Sequence, residues 1–343
     1  MRFVLVHGAW HGGWCWEPLA RALEDLHHEV LTPDVPCDDV DAGLTDYAAA
    51  VGQHPGAVVV AHSLGGLVLP LVEARLHVYL CALVPVPGQP FEDFFADALD
   101  PDFGGTDRDE LGRSFWPDVD VLADRLYRGH ERRWAEWAFP HLRPQAQTLA
   151  REPLPLEALP ETRCAYILAQ DDPAVRPEWS RQVATEQLGV QPIELDGGHF
   201  PMLDQPKLLA DTLELEVSKT ILMPEPRELT DEERAFIDFL LAGDAGTEEL
   251  REQARSARVV RFCGCGCPSV GLEVDPDAPR IRASQMYIRS EGRNRDGKEV
   301  AVTLTAAGGT LVDLEIWSGE FGETEPPPVS SLSPPTSTST APD

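Results

Sequence analysis

A serine that could act as a nucleophile stands at position 63, in the run Ala61-His62-Ser63-Leu64-Gly65-Gly66. The run separates an apolar, strand-like stretch from a helix-like one. Small residues two positions before and after the serine allow a strand and a helix to meet at a sharp turn that lifts the hydroxyl group into a crevice. The amide of Leu64 would then lie at a helix N-terminus, where it can donate to an oxyanion. We therefore predict Ser63 as a nucleophile and Leu64 as an oxyanion donor.

A base must remove the proton of the serine before it can attack. His199 lies in Asp196-Gly197-Gly198-His199-Phe200-Pro201, after the last strand-like run, with glycines that turn the backbone. The other histidines fit less well, because the side chain of His62 should point away from the site and His130 and His141 lie in a long insertion. We predict His199 as the general base.

An acid that orients the imidazole and stabilises its protonated form is expected after the preceding strand-like run, residues 164–169. Asp171 and Asp172 both lie there, before Pro173. We favour Asp172, and the spacing leaves Asp171 open as the alternative.

A second oxyanion donor is expected from the loop after the first strand. His7-Gly8-Ala9 follows the apolar residues 3–6, and we assign the role to the amide of Ala9. Taken alone, the same run is an ordinary turn at a strand end. Together with Ser63 and His199 it completes a set of roles that must be filled jointly. The predicted chemistry needs no metal ion or organic cofactor.

The elements that position these side chains alternate between short apolar runs and amphipathic stretches. This alternation predicts a parallel sheet covered by helices on both faces, with functional loops at the carboxyl ends of its strands. Predicted strands are residues 3–6, 30–32, 57–61, 78–84, 164–169 and 192–195, and predicted helices are 17–26, 45–53, 64–74, 178–188 and 206–217. Residues 85–160 lack a β pattern but hold ten aromatic residues, which indicates a helical insertion over a pocket.

The chain changes character after Met223-Pro224-Glu225-Pro226. Thr230, followed by acidic residues, predicts the start of a helix. Later runs are typical of antiparallel strands, at residues 258–263, 269–274, 281–288, 299–305 and 311–317. We therefore predict an α/β domain over residues 1–222, a separate α+β domain over 227–320, and a disordered tail over 321–343, where Pro, Ser and Thr dominate.

Three cysteines, Cys263, Cys265 and Cys267, alternate with glycines. Three thiolates could bind zinc, but no histidine follows His199 and no cysteine follows Cys267, so a fourth ligand is missing. Alternate positions also share one face of an extended strand, which would face a core. We favour this structural interpretation and predict no metal site, with metal binding and redox chemistry as the alternatives.

Charge and cysteine content limit the partners. Lys and Arg number 28 against 58 Asp and Glu, a formal net charge of −30. A surface this negative repels nucleic acid and anionic lipid. In addition, no apolar run reaches the roughly 18 residues that are needed to span a membrane. An odd number of cysteines and an N-terminus without a leader pattern fit a reducing compartment, so we expect a cytoplasmic protein.

The motifs together resemble the plant methylesterase and hydroxynitrile lyase branch of the α/β-hydrolases and its bacterial esterase relatives, over residues 2–218. They are Val6-His7-Gly8-Ala9-Trp10-His11-Gly12-Gly13-Trp14, His62-Ser63-Leu64-Gly65-Gly66, Tyr166-Ile167-Leu168 running into Asp171-Asp172, and Gly198-His199-Phe200-Pro201-Met202-Leu203. The resemblance implies an α/β-hydrolase fold with a cap insertion, a triad of Ser63, Asp172 and His199, and oxyanion amides at Ala9 and Leu64.

The resemblance also separates two activities. The lyases of that branch carry a threonine just after the first-strand histidine and a lysine just after the catalytic histidine. Here those positions are Gly8 and Phe200, so no cation would stabilise departing cyanide, and ester hydrolysis is favoured. Trp10, where plant members often carry cysteine, indicates a differently shaped pocket.

We therefore expect a carboxylesterase that acts on a small-molecule ester through an acyl-enzyme. The alternative is a non-catalytic ligand receptor or interaction scaffold whose C-terminal domain binds a protein partner.

Overall fold

The computed structural model describes residues 1–242, 247–319 and 324–340. They form two compact units, of which the first ends at Glu214 and the second begins at Leu215. The predicted boundary lies further along the chain, at residues 222–227. The helix Pro206–Ser218 runs across the division between Glu214 and Leu215, and a strand that starts at Thr220 already pairs within the second unit. No helix in the described part of the chain is both long enough and apolar enough to cross a bilayer.

A parallel sheet forms the centre of the first unit. The strands of this unit are β1 Arg2–Val6, β2 Glu29–Leu31, β3 His54–His62, β4 Ala74–Leu80, β5 Asp107–Arg108, β6 Ser114–Phe115, β7 Cys164–Ala169 and β8 Ile193–Leu195. Six of them pair in the order β2-β1-β3-β4-β7-β8, all parallel, and β5 and β6 form a separate antiparallel pair. Residues 3–6 and 57–62 are buried without a break, as expected of strands covered on both faces. The predicted fold class is confirmed.

Helices surround this sheet. They are α1 Glu17–Asp25, α2 Leu44–Val51, α3 Phe95–Ala98, α4 Val119–Arg125, α5 Arg132–Ala138, α6 Thr148–Arg151, α7 Pro177–Glu186, α8 Pro201–Asp204 and α9 Pro206–Ser218. The predicted insertion carries α3 to α6, together with the β5 and β6 pair, which was not predicted.

One predicted helix was wrong in type and length. The segment expected to be helical over residues 64–74 is a 3-10 helix, Ser63–Leu71, and β4 begins at Ala74 instead of residue 78. Pro70 lies inside this segment and has no N–H group to continue a helix. The chain therefore returns to an extended conformation within three residues of Leu71.

The second unit is an antiparallel sheet with helices. Its strands are β9 Thr220–Glu228, β10 Arg258–Cys263, β11 Val270–Glu273, β12 Gln285–Arg293, β13 Glu299–Ala307, β14 Thr310–Trp317 and β15 Thr336–Thr340, and its helices are α10 Asp231–Leu240 and α11 Glu248–Ser256. The strand order is β15-β12-β13-β14-β11-β10-β9. Thr230 caps α10 as predicted, because its hydroxyl accepts from the amide of Glu233 at 3.2 Å.

Two segments of this unit differ from their predictions. The run Met223-Pro224-Glu225-Pro226, which the predicted bounds leave between the two domains, lies inside β9, which is an edge strand. Its pairing with β10 skips these four residues, so the prolines break no ladder hydrogen bond. The predicted tail forms a 3-10 helix, Val329–Ser331, and the edge strand β15, because an edge strand needs backbone pairing more than apolar side chains. Residues 321–323 and 341–343 lie outside the described residues.

Candidate active site

Ser63 lies directly after β3, where the chain turns into the 3-10 helix. Its φ is +52°, in the left-handed region that residues with a side chain rarely adopt. A Cβ on Gly65 would lie 2.7 Å from the carbonyl oxygen of His7, and one on Gly8 would lie 2.8 Å from Cβ of Ser63. The loop after β1 and the turn after β3 therefore approach so closely that glycine is required at both positions.

Two further predicted residues form a buried pair at the ends of β7 and β8. Nδ1 of His199 donates to Oδ2 of Asp172 at 2.8 Å, and their side chains are 1% and 3% exposed. The other carboxylate oxygen of Asp172 accepts from the amides of Ala174 at 2.8 Å and Val175 at 3.0 Å. With both oxygens occupied, the carboxylate has one orientation, and it holds the proton of His199 on Nδ1, leaving Nε2 as the basic nitrogen.

The two candidate aspartates differ in their exposure. Asp171 is exposed, and its backbone amide donates to the carbonyl oxygen of Gly197 at 3.0 Å. Asp172 is buried and contacts His199. The structure thus brings Asp172 to the histidine and leaves Asp171 at the surface.

The two predicted oxyanion donors, Ala9 and Leu64, line one cavity together with Ser63. Nδ1 of His7 donates to the carbonyl oxygen of Gly8 at 2.9 Å, and Nδ1 of His11 donates to that of Ala9 at 2.7 Å. The carbonyl of Gly8 and the amide of Ala9 belong to one planar peptide unit. The imidazole of His7 therefore fixes the direction in which the Ala9 amide points.

Both of these histidines are neutral near pH 7. Burial lowers the pKa of His7 to about 4 and that of His11 to about 3. Each ring also uses its second nitrogen as an acceptor: the amide of Val35 donates to Nε2 of His7 at 3.0 Å, and the hydroxyl of Tyr127 donates to Nε2 of His11 at 2.8 Å. One donor and one acceptor per ring is the pattern of neutral imidazole.

His62 was expected to point away from the site, and the structure corrects this. Its ring is buried, 4.5 Å from the ring of His199 between centroids, and its Nε2 donates to the backbone carbonyl oxygen of His199 at 2.8 Å. Burial lowers the pKa of His62 well below its ordinary value. His7, His11 and His62 were not predicted as site residues. A usable signal was that His7 directly follows the buried apolar residues 3–6 and His62 directly follows the buried apolar residues 57–61, whereas His11 lies further along the loop after β1.

A cavity of about 170 Å³ opens beside Ser63. Its walls are mainly apolar, and their five aromatic rings come from the loop after β1 and from the insertion: Trp10, Phe91, Phe95, Phe103 and Trp116. Trp10 has a φ of +62°, and its indole N–H donates to the carbonyl oxygen of Ser114 at 3.1 Å, which fixes the ring in the wall. A dry cavity of about 150 Å³ holds a benzene ring, so this one accommodates a group of that size.

Cys81, the residue after β4, lies beside the buried pair. Its sulfur, a carboxylate oxygen of Asp172 and a ring nitrogen of His199 are within 4.8 Å of one another. Burial raises the pKa of the Cys81 thiol well above its ordinary value, and the Asp172 carboxylate adds to the rise. The sulfur therefore stays protonated, and is a weak hydrogen-bond donor in place of a metal ligand.

In the comparison with known proteins, each of the two units matches a different family model. Residues 3–212 match the model of the alpha/beta hydrolase family, and residues 226–325 match a domain of unknown function, DUF6984. The carbendazim hydrolyzing esterase of Nocardioides sp. strain SG-4G is 29% identical over 238 residues, which cover 62% of this chain and 97% of that protein. Methylesterase 2 of Arabidopsis thaliana is 26% identical over 62% of this chain and 94% of its own length.

Solved structures agree with the fold. Polyneuridine aldehyde esterase superposes with a TM-score of 0.52 at 20% identity, covering 62% of this chain and 97% of that one. An extracellular alpha/beta-hydrolase from a Paenibacillus species gives a TM-score of 0.51 at 20% identity, covering 63% and 98%. The resemblance deduced from the motifs and the expectation of a hydrolase enzyme are confirmed. The chain belongs to the alpha/beta hydrolase family, through the unit that carries Ser63, Asp172 and His199.

Proposed function

We propose that this chain is a serine carboxylesterase in which Ser63 is the nucleophile, His199 the general base and Asp172 the residue that orients it. The observation that carries the proposal is the buried hydrogen bond of 2.8 Å between His199 and Asp172, at the carboxyl ends of strands whose sheet also presents the strained Ser63. The esterase names of the relatives support the same class of reaction.

The reaction follows from these positions. Nε2 of His199 takes the proton of Ser63 as its Oγ attacks the ester carbonyl, and the amides of Ala9 and Leu64 hold the oxyanion. His199 then gives the proton to the departing alcohol, which leaves an acyl group on Ser63. A water molecule, deprotonated by His199, hydrolyses the acyl-enzyme and restores the serine. These steps use no metal ion or organic cofactor.

The position after His199 supports ester hydrolysis over cyanohydrin cleavage. Phe200 is fully buried, and its ring stacks on that of Tyr127 with 4.3 Å between centroids. A residue packed in this way offers no charge to a departing anion. The aromatic cavity beside Ser63 favours an ester with an acyl or alcohol group about as large as one ring.

The substrate is thus a small-molecule ester. Because the chain carries a formal net charge of −30, we do not propose nucleic acid or anionic membranes as partners. A cytoplasmic location is proposed because all seven cysteines are thiols and none is part of a disulfide. A protein partner of the second unit stays a prediction.

Hydrolysis of p-nitrophenyl esters by the wild type and by Ser63→Ala tests the proposal. We expect turnover by the wild type and a loss of at least about 10⁴-fold in kcat in the variant, with an unchanged circular dichroism spectrum. A fluorophosphonate should label the peptide that contains Ser63 in the wild type only. Turnover that survives in Ser63→Ala, or a wild type that neither turns over nor becomes labelled, would overturn the proposal.

A further inference from the structure

Three thiol groups converge at one turn of the second unit. β10 ends at Cys263, and Cys265 and Cys267 lie in the turn that leads to β11. Gly266 has a φ of +86°, and its amide donates to the carbonyl oxygen of Cys263 at 3.2 Å, which curls the turn. The cluster is therefore formed by a turn, and the predicted arrangement on one face of an extended strand was wrong.

The separation of the sulfur atoms matches that of ligands around one small ion. All three lie within 4.8 Å of one another, and those of Cys263 and Cys265 are 3.1 Å apart. In a tetrahedral site with Zn–S bonds of about 2.3 Å, two sulfurs are about 3.8 Å apart. The Cys263–Cys265 pair is closer than this value and no pair is more than 4.8 Å apart, so the turn needs only small adjustments to bind an ion.

The surroundings of the sulfurs are polar, although two of the cysteines are buried. Cys265 and Cys267 are 1% and 7% exposed, yet neither belongs to the apolar core that the described residues of this unit form. The amide of Cys267 donates to the sulfur of Cys265 at 3.4 Å, and the thiol of Cys267 lies 3.3 Å from the hydroxyl of Ser269. A cysteine that only fills space has apolar neighbours. Amide and hydroxyl groups beside sulfur are instead what orients thiolate ligands.

A cavity of about 480 Å³ opens onto the three sulfurs. Among the described residues, no histidine, aspartate, glutamate or further cysteine joins the three within 4.8 Å. Three protein ligands and one position open to a cavity is the arrangement of zinc sites that also bind an exogenous molecule. Thiolates select soft ions over Mg²⁺ and Ca²⁺.

We propose that Cys263, Cys265 and Cys267 bind one thiophilic d¹⁰ metal ion, with Zn²⁺ as its representative, and that the fourth coordination position faces the cavity. Binding releases one proton from each thiol to solvent and forms three metal–sulfur bonds, without electron transfer. A zinc ion with three thiolates carries a charge of −1. The guanidinium of Arg261 lines the same cavity and pairs there with Asp313 at 2.8 Å.

Titration of the reduced, metal-free full chain with Co²⁺ in the absence of oxygen tests the site. We expect one equivalent to produce thiolate-to-cobalt charge-transfer absorption, and one equivalent of Zn²⁺ to abolish it. Cys164→Ser is the matched control, because Cys164 is also partly exposed but lies in the first unit. It should bind as the wild type does.

The variant that removes all three ligands, Cys263→Ser with Cys265→Ser and Cys267→Ser, should bind no Co²⁺ at these concentrations. If that variant does not fold, Cys263→Ser alone should show about two thirds of the charge-transfer intensity and weaker binding. A fully reduced wild type that shows no charge-transfer absorption would overturn the proposal, and so would binding that persists without the three thiols.

Discussion

Nε2 of His62 donates to the backbone carbonyl oxygen of His199 at 2.8 Å, across 137 positions of the sequence. The residue next to the proposed nucleophile therefore holds the backbone of the proposed base. Both groups are buried, so loss of the donor would leave a carbonyl oxygen without its partner, at about 1–3 kcal/mol.

We expect His62→Ala to lower kcat for ester hydrolysis by roughly 10- to 100-fold with little change in KM, because a misplaced base affects the chemical step more than binding. His77→Ala is the matched control. That histidine is also buried, and its Nε2 donates to the carbonyl oxygen of Val72 at 2.8 Å. Steady-state kinetics of both variants distinguish a misplaced His199 from general destabilisation. An equal fall in kcat in both would mean that general destabilisation, and not the position of His199, is responsible.

Neighbouring aspartates provide a second test. Asp172→Asn should lower kcat by about 10³- to 10⁴-fold, because an amide in place of the carboxylate no longer holds the proton of His199 on Nδ1. Asp171→Asn changes an exposed side chain and should stay within about twofold of the wild type. Kinetics with one p-nitrophenyl ester suffice. A larger effect at Asp171 than at Asp172 would exchange their roles.

The close approach of the turn after β3 to the loop after β1 predicts that Gly65→Ala is harmful. The added Cβ would lie 2.7 Å from the carbonyl oxygen of His7, a backbone atom that cannot rotate away. We expect a loss of about 1–3 kcal/mol in the free energy of unfolding, and a lower kcat, since the oxyanion loop must shift. Gly56→Ala, also near the end of an element but with open space around its Cβ, is the control. Denaturant titration and kinetics compare the two, and equal behaviour would contradict the close packing.

Buried neutral histidines make the protein less stable in mild acid. His7 has a pKa of about 4 in the folded chain against about 6.5 when unfolded, so between these values only the unfolded chain takes up the proton. The contribution of neutral His7 to the free energy of unfolding is therefore complete above about pH 6.5 and is lost as the pH falls towards 4. For His7 the loss between pH 7 and pH 5 is about 2 kcal/mol. His7→Gln should reduce this pH dependence by that amount, whereas the exposed His141→Gln should leave it unchanged. Denaturant titrations at pH 7 and pH 5 measure the change in the free energy of unfolding. If this change is the same in His7→Gln as in the wild type, the prediction is contradicted.

The aromatic wall should set the size of the group that the cavity accepts. Trp116 is 5% exposed and packs edge-on against Trp10, with 5.3 Å between ring centroids. Trp116→Ala should raise kcat/KM for a longer acyl chain relative to acetate by about tenfold or more, because the space it vacates binds additional methylene groups. Tyr287→Ala is the control, since that ring is 39% exposed and does not line the cavity. The same preference in both variants and the wild type would place the acyl group elsewhere.

The residues that carry the proposed chemistry could be found from sequence because each follows an apolar strand, and strand ends are well marked. Ser63 follows β3, Asp172 follows β7 and His199 follows β8. Where the local sequence pattern agrees with the order of the strands along the chain, the position of a residue after a strand predicts its catalytic role.

Features that depend on contacts distant in sequence were not predictable in this way. The orientation of His62 is set by a carbonyl group 137 positions away. The convergence of Cys267 with Cys263 and Cys265 depends on the positive φ of Gly266, whereas the spacing alone also fits a strand. β9 contains two prolines. They are compatible with a strand because the pairing between β9 and β10 omits the residues around them, which the local sequence does not reveal.

β15 has a consequence for how copies of this chain behave towards one another. It pairs with β12, and its five residues are all Thr or Ser and all exposed. Without it, the five residues 285–289 of β12 would present unpaired N–H and C=O groups along one side, a template on which a second copy could add its own strand. Proteolytic loss of residues 336–340 would therefore expose an edge on which copies of the chain can aggregate, with the hydrolase unit chemically unchanged.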